Sequence, residues 1–205
     1  MTQQKSPTNW PGFFRALLRG MKKYILLLSL IGLALTGRAQ TQPAAYPTDA
    51  ATGLIDYTET VAVADVSQAV LFTRAKLWLA GSFRSVKDVV QVEDKDAGVI
   101  VGRGYSPIGI AYFGQVSAQR LYYTLKLGFK DGKYKYELSD FYFENEMAFS
   151  QSFRTVKTLA NSMLIGAANT SREEKVKGQY RAQFDATVPG LISSLKAGML
   201  KSTDF

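Results

Sequence analysis

The sequence predicts an α+β domain in which helices pack on one face of an antiparallel sheet. Helical spacing of apolar residues predicts one helix after the first strand and further helices from residue 149 onward. The predicted order is β-α-β-β-β-β-α, with five strands in one sheet. Apolar and polar residues alternate, as strands require, at 54–63, 88–93, 99–105, 120–129 and 133–144.

The two later hairpin strands contain the clearest local signals. Asp131-Gly132 separates them, and Asp-Gly is a strong predictor of a two-residue hairpin turn. The alternation changes phase at Ser139 and Asp140, which predicts a β-bulge. For the first helix, Ser67 is the predicted N-cap. Trp78 is predicted to pack against the sheet from that helix.

An internal Met-Lys-Lys start followed by an apolar run predicts a secretory signal peptide at 21–39. The apolar run at 25–35 has 11 residues, whereas a membrane span needs about 20 residues. Small residues two positions apart end the segment, so cleavage is expected between Ala39 and Gln40. The mature protein is then periplasmic or secreted. A membrane partner is expected only if the segment is not cleaved.

The remaining domain boundaries follow from composition. Residues 1–20 are an upstream segment, either a long basic leader or the result of a start assigned too early, with Met21 as the true start. Residues 40–53 are rich in Ala, Pro and Thr, which predicts a linker. The core domain is expected at 54–146. Residues 147–205 are expected to form C-terminal helices that pack on the sheet.

The net charge argues against a polyanionic partner. The chain carries +8 at pH 7, but its first 40 residues contain six basic residues and no acidic residue. Cleavage leaves 19 basic and 17 acidic residues, a net charge of +2. Nucleic-acid binding needs a concentrated basic face, so no nucleic-acid partner is expected. A single open sheet face that carries the following residues would favour such a partner: Lys126, Lys133, Lys135 and Arg120.

The absence of His and Cys restricts the chemistry of the chain. A Ser-His-Asp triad is excluded, and no disulfide holds the fold. No catalytic residue, metal site or cofactor is predicted. One acidic group around the first hairpin lacks the calcium-loop pattern and favours a solvated turn: Asp88, Glu93, Asp94 and Asp96.

A short apolar stretch at 107–114, punctuated by glycines, is the candidate binding site. Exposed apolar surface of this kind marks ligand or partner sites, so binding is assigned to Ile108, Ile110, Tyr112 and Phe113. The alternative is that this stretch extends the third strand into the core. Four tyrosines on the next strands offer a similar choice between a stacking face and cross-strand pairs: Tyr122, Tyr134, Tyr136 and Tyr142.

Three segments resemble a bacterial protein family. They are Ile-Asp-Tyr-Thr-Glu-Thr-Val at 55–61, Ala-Lys-Leu-Trp-Leu at 75–79, and the block at 85–104, which is the most specific. The family is a domain of unknown function with a TATA-binding-protein-like (TBP-like) fold, seen in secreted or envelope proteins of Bacteroidetes. The resemblance covers about 54–144. It implies a fold and a compartment, but no activity, no catalytic residues and no DNA binding.

Export, the lack of a catalytic constellation and the resemblance favour a non-catalytic envelope module that binds a ligand or an envelope protein. The competing hypothesis is a carboxylate-based hydrolase of the cell envelope, with strand-borne candidates Glu59, Glu137 and Glu144. Two acidic side chains in one cavity would favour the hydrolase. A flat or convex apolar patch would favour binding.

Overall fold

The structure, a computed structural model, describes residues 46–112, 114–149 and 152–201. Within these ranges, one sheet and a set of helices follow from the alternation and capping signals of the sequence. The elements are β1 (Tyr57–Ala62), α1 (Gln68–Ser82), α2 (Val86–Val89), β2 (Val90–Asp94), β3 (Val99–Tyr112), β4 (Gln115–Lys130), β5 (Lys133–Phe149), β6 (Ser152–Leu159), α3 (Ala160–Leu164) and α4 (Ser171–Leu200).

The strands form a single antiparallel sheet in the order β1-β5-β4-β3-β2. Strand β6 also pairs with β5. It lies on the same edge of β5 as β1, because β1 pairs with 133–138 and β6 pairs with 142–149. The predicted α+β class is confirmed, with six strands in the described residues instead of five.

Strand β6 corrects the prediction of helices throughout 147–205. Val156 and Leu159 are spaced as on one face of a helix, so the sequence predicted a helix where the structure has a strand. The segment is also rich in β-branched residues, Thr155 and Thr158 among them, which favour strands. The long strand β5 offers a free edge that satisfies its backbone groups. A helix begins only at Ala160.

The hydrophobic core lies between one face of the sheet and helices α1 and α4. Phe184 of α4 is 0% exposed, and its ring contacts the rings of Tyr46, Tyr57 and Phe141. Tyr46 belongs to the predicted linker at 40–53. The packed domain therefore includes residues before 54.

Helices α1 and α4 approach each other closely at a glycine. A Cβ at Gly198 would lie 2.8 Å from the Trp78 ring, so a larger residue does not fit without a shift. The Trp78 Nε1–H donates a hydrogen bond to Ser194 Oγ at 3.1 Å. Trp78 is therefore an anchor between the helices, as well as part of the predicted core.

The β4–β5 hairpin also fixes the start of α1. Its two-residue turn is Asp131-Gly132, as predicted, with Gly132 at φ +74°. The Asp131 carboxylate accepts a hydrogen bond from the Gln68 N–H at 2.7 Å. The predicted N-cap Ser67 accepts one from the Val70 N–H at 3.4 Å. One turn thus supports both the sheet and the helix that packs on it.

Burial alternates along β4, which shows that the helices cover only one face of the sheet. We call this the covered face and the other the open face. The predicted bulge is present in β5, where the register shifts and Asp140 adopts φ +53°. In the described parts of the chain, no helix has the length and apolar character needed to cross a membrane.

Candidate functional site: an edge cleft beside a tyrosine row

The outer edge of β3 is only partly paired. Strand β2 pairs with β3 over 99–102, whereas β4 pairs with β3 over its whole length. Among the described residues, no strand pairs with this edge beyond Gly102. Helix α2 ends at Val89, directly before Val90, the first β2 residue that pairs with β3.

A cleft of about 610 Å³ lies beside the unpaired edge, and we call it the edge cleft. The end of α1 and its connection to α2 form one wall, with Arg84 and Asp88. Strand β3 contributes Tyr105 and Pro107, and the next two strands contribute further polar groups. The cleft is thus lined by apolar and aromatic as well as charged and polar side chains, and ligand-binding sites combine the same kinds of group.

The most unusual polar group in the edge cleft belongs to Gln119. This β4 residue is 3% exposed, and its Oε1 accepts a hydrogen bond from the Tyr180 hydroxyl at 2.7 Å. Its Nε2 has no hydrogen-bond partner in the described structure. A buried polar group without a partner costs about 1–3 kcal/mol. The Gln119 amide is therefore a group that a bound molecule would stabilise.

Three tyrosines form a row across the open face, one each from β3, β4 and β5. Tyr105 lies opposite Tyr122, which lies opposite Tyr142. The Tyr105 and Tyr122 ring centroids are 5.3 Å apart. The Tyr122 and Tyr142 rings are stacked, with centroids 4.9 Å apart and an interplanar angle of 4°. Because these rings cover one another, Tyr122 does not offer a free face to a sugar or peptide.

Cations lie against both ends of this tyrosine row. The Arg120 guanidinium is 5.5 Å from the centre of the Tyr105 ring, and Lys157 Nζ is 5.3 Å from that of Tyr142. Glu144 lies 3.5 Å from Arg120 and 4.0 Å from Lys157. Burial, followed by the charge of Glu144 and a hydrogen bond to it, raises the pKa of Tyr122.

The structure corrects the predicted binding stretch. Ile108 and Ile110 lie within β3 and are 4% and 0% exposed, so they belong to the core and not to an exposed loop. The alternative, extension of the third strand, is what the structure shows. Tyr112 ends that strand, and Phe113 lies outside the described residues.

Of the four tyrosines that the sequence offers for ligand stacking, two lie on the covered face of the sheet. Tyr134 and Tyr136 are 1% and 4% exposed, so the stacking interpretation is wrong for both. Burial, followed by the charge of Glu59, raises the pKa of Tyr134 to about 12. The Tyr136 hydroxyl donates a hydrogen bond to Glu59 Oε2 at 2.6 Å.

In the acidic group of the first hairpin, Asp94 and Asp96 belong to the turn, whereas Asp88 lies in α2. Asp94 Oδ1 accepts hydrogen bonds from the backbone N–H groups of Asp96 and Ala97, at 3.0 and 2.8 Å. Glu93 pairs with Lys76 at 2.7 Å. Within 46–112, 114–149 and 152–201, no three acidic side chains are grouped as metal ligands would be.

The three hydrolase candidates do not gather in one place, but one of them, Glu144, shares a cavity with another acid. Asp88 and Glu144 both line the edge cleft. Glu59 instead bonds to Tyr136 and to Lys196 Nζ, which is 2.7 Å away. Those hydrogen bonds, Lys196 first, lower the pKa of Glu59. Glu137 lies 4.0 Å from Lys135.

Lysines gather at the far end of the open face, near the Asp131-Gly132 turn. Lys130 lies directly opposite Lys133. Arg120 is on the same face, but six residues along a strand separate it from Lys126, about 20 Å at 3.4 Å per residue. The open face thus carries all four basic residues of the predicted group (Lys126, Lys133, Lys135 and Arg120), but they do not form one cluster. The lysines near the turn are Lys126, Lys130, Lys133 and Lys135.

This fold places the protein among small α+β domains with a TBP-like sheet, and two solved structures share it. A DUF4468 family protein from Bacteroides ovatus ATCC 8483 is 15% identical, with a TM-score of 0.58 over 79% of this chain and 94% of that chain. A TBP-like protein from Parabacteroides distasonis ATCC 8503 is 13% identical, with a TM-score of 0.50 over 73% of this chain and 96% of that chain. Identities this low show the fold alone.

The family follows from sequence. Residues 57–144 match the sequence profile of a family described as a domain of unknown function (DUF4468) with TBP-like fold. This segment is therefore similar to a DUF4468 domain, which confirms the resemblance. No curated protein sequence matches the chain.

Proposed function

We propose that this protein is a non-catalytic module of the cell envelope that binds a partner in the edge cleft. The observation that carries the proposal is Gln119, whose buried Nε2 has no partner and whose side chain lines the cleft. A ligand with a hydrogen-bond acceptor would satisfy this amide and recover the cost of leaving it unpaired. The nearby charges of Arg84 and Arg120 would orient polar groups of the ligand.

Nuclear magnetic resonance of the isotope-labelled full chain tests this proposal. Peptide, glycan and lipid fractions of the envelope are titrated in separately. We expect one fraction to shift the Gln119 side-chain amide and the Tyr105 backbone amide in a saturable way. Leu77, which is 53% exposed on α1, is the control and should not shift. Unchanged Gln119 resonances in every fraction would rule out the edge cleft as the site.

A hydrolase is the second candidate, because Asp88 and Glu144 share the cleft. Glycoside hydrolysis needs one carboxyl group as a proton donor and another as a nucleophile or base. Glu144, however, is already ion-paired with Arg120 and Lys157, at 3.5 and 4.0 Å. Purified cell-wall glycan and a panel of chromogenic glycosides are the substrates to try. Turnover by the wild type that disappears in both Asp88→Asn and Glu144→Gln would replace the binding proposal.

We infer that nucleic acid is not the partner, although four basic residues share the open face. Glu137 lies opposite Lys126 and 4.0 Å from Lys135, and Glu144 lies 3.5 Å from Arg120. Both carboxylates reduce the positive field that phosphate binding requires. Fluorescence anisotropy with a labelled 20-nucleotide strand is the measurement. Saturable binding at 200 mM salt that is lost in Lys130→Glu/Lys133→Glu would overturn this inference.

We also propose that the protein is exported, with cleavage between Ala39 and Gln40. Support comes from the charged start, short apolar run and small-residue end of 21–39. Cell fractionation and intact mass of the natively produced protein are the test. A periplasmic or secreted species that begins at Gln40 is the expected result. A membrane-bound species that keeps 21–39 would show an anchor instead.

A further inference from the structure

We propose that the edge cleft binds an extended peptide segment, which adds to the sheet as a strand along the free edge of β3. This inference rests on the proposed binding function and names its ligand class. Strand addition joins backbone groups of the two chains, so it requires a sheet edge with outward-facing N–H and C=O groups and room for another chain. The edge of β3 between Gly102, the last residue paired with β2, and Ala111 meets the first condition, and the cleft beside Tyr105 and Pro107 provides the room.

The direction of the backbone groups follows from one contact. The Ala111 N–H donates to Gln179 Oε1 at 2.7 Å, and Gln179 Nε2 donates to the Ala111 carbonyl at 3.2 Å. Ala111 therefore directs both groups away from β4. Since this direction alternates along an antiparallel strand, Tyr105, Pro107 and Gly109 direct theirs outward as well.

At its two ends, the free edge already makes the kind of backbone hydrogen bonds that a peptide would make between them. At one end β2 supplies a strand, up to Gly102. At the other, the Gln179 amide makes the two hydrogen bonds that a partner strand would make. Between these ends, no strand of the described residues pairs with the outward groups of Tyr105, Pro107 and Gly109. A segment of about five residues would span them, at 3.4 Å per residue.

Pro107 agrees with this arrangement and sets the register. Proline is tolerated on an edge strand where its missing N–H faces away from the paired neighbour. A bound peptide can therefore donate to the Pro107 carbonyl but cannot accept from its nitrogen. Tyr105 and Gly109, on either side of Pro107, can each both donate a backbone hydrogen bond to the peptide and accept one from it.

The shape of the cleft favours a single extended chain over the edge of a second copy. Arg84, Ser85 and Asp88 form a wall that faces the free edge across the cleft. A cleft of about 610 Å³ that is bounded on both sides suits a single extended segment better than the edge of a second sheet, which needs an open side. Gln119 lies on the floor of the same cleft, and its unpaired amide is a donor for a side chain or a carbonyl of the peptide.

The test compares two substitutions at Gly109. Gly109→Pro removes the outward N–H and leaves the bonds to β4 intact, because they are made by the even-numbered residues. Gly109→Ala keeps the N–H. Its Cβ would lie 3.0 Å from Cγ1 of Val116, a side chain that is 73% exposed and free to move. Circular dichroism should show both variants folded.

Heptapeptides are selected from a displayed random library on the full-length protein, and their dissociation constants are measured by calorimetry. We expect binding to weaken at least tenfold in Gly109→Pro and less than threefold in Gly109→Ala. Hydrogen exchange of the Tyr105 and Gly109 amides in the wild type should slow on binding. If Gly109→Pro does not fold, this exchange measurement decides: protection of both amides supports strand addition, and no protection overturns it.

Other outcomes separate this inference from the proposed function. Equal binding by all three proteins, with Gln119 shifted, would place the peptide in the cleft without strand pairing and would overturn strand addition only. The same holds if no peptide binds while an envelope fraction shifts Gln119. If neither shifts Gln119, both proposals fail. A dimer of the wild type that is lost in Gly109→Pro would make a second copy the occupant and overturn the peptide.

Discussion

The covered face and the open face of the sheet are built from the same strands but hold their tyrosines differently. Tyr123 and Tyr134 on the covered face are each 1% exposed and belong to the core. On the open face, Tyr105 is 51% exposed, and Tyr122 and Tyr142 stack on each other. One face of the sheet thus carries the stability of the domain. Substitutions on the other face, and at its edge, are then free to alter binding without unfolding the protein.

The largest effect is expected for Phe184→Ala on the covered face. Phe184 is fully buried and contacts three aromatic rings, so its removal leaves a cavity. We expect a loss of about 3–5 kcal/mol in the free energy of unfolding, measured by urea denaturation. Leu77→Ala, at a residue that is 53% exposed, is the control and should cost far less. Equal losses would contradict the assignment of the core to this face.

Replacing two strand glycines by alanine, one on each face, tests whether the faces differ in their tolerance of added side chains. At Gly102, a Cβ on the covered face would lie 2.9 Å from the Val89 carbonyl oxygen, so Gly102→Ala should cost about 1–3 kcal/mol. At Gly128, a Cβ would have nothing within 4 Å. Gly128→Ala should be neutral or stabilise by up to about 1 kcal/mol, because Ala loses less backbone entropy. Thermal unfolding measures both, and a reversed order would invalidate the assignment of faces.

Alkaline pH should destabilise the protein through its covered-face tyrosines. The pKa of Tyr134 is raised from 10.0 to about 12 in the folded state. Its contribution to stability is therefore complete below pH 10 and is lost as pH rises toward 12. We expect Tyr134→Phe to have a flatter dependence of unfolding free energy on pH in this window. Phenolate absorbance that develops fully near pH 10, in a protein that is still folded, would contradict burial of these side chains.

The smallest effect is expected in the tyrosine row. A double-mutant cycle of Tyr122→Ala and Tyr142→Ala should give a coupling of about 0.5–1.5 kcal/mol, the range for an aromatic pair. The same cycle for Tyr122 and Leu77, which are on different elements and not in contact, is the control. A coupling near zero for the tyrosines would mean that their stacking does not stabilise the sheet, and that the side chains of the open face do not contribute to the free energy of unfolding.

The sequence predicted those parts of the fold in which one local signal decides the outcome. The Asp131-Gly132 turn, the bulge at Ser139 and Asp140, and the Ser67 cap need only a few neighbouring residues. For the last helix, Ser171 and Glu174 have the spacing of a capping box, whereas the cap is Thr170, which accepts a hydrogen bond from the Glu173 N–H.

The missed parts depend on contacts between distant residues. The segment Ser152–Leu159 fits either period, and only the free edge of β5 makes it a strand. Gln119 was missed because the fourth strand was expected to begin at Arg120. It is in phase with the inward residues Leu121 and Tyr123, and a polar residue at an inward position is a signal that the sequence does contain. The edge cleft itself depends on β2 beginning only at Val90, which no local pattern shows.

The position of β1 has a consequence for how the protein is assembled. Tyr57 pairs with Leu138, so the first strand of the domain must wait for a partner about eighty residues later in the chain. Closing a loop of that length costs about 4 kcal/mol by the (3/2)RT ln n relation, whereas the β4–β5 hairpin closes across two residues. We therefore expect a chain made from its N-terminus to form the central hairpin first. The strand Tyr57–Ala62 would then be the last to join the sheet and the first to leave it under force.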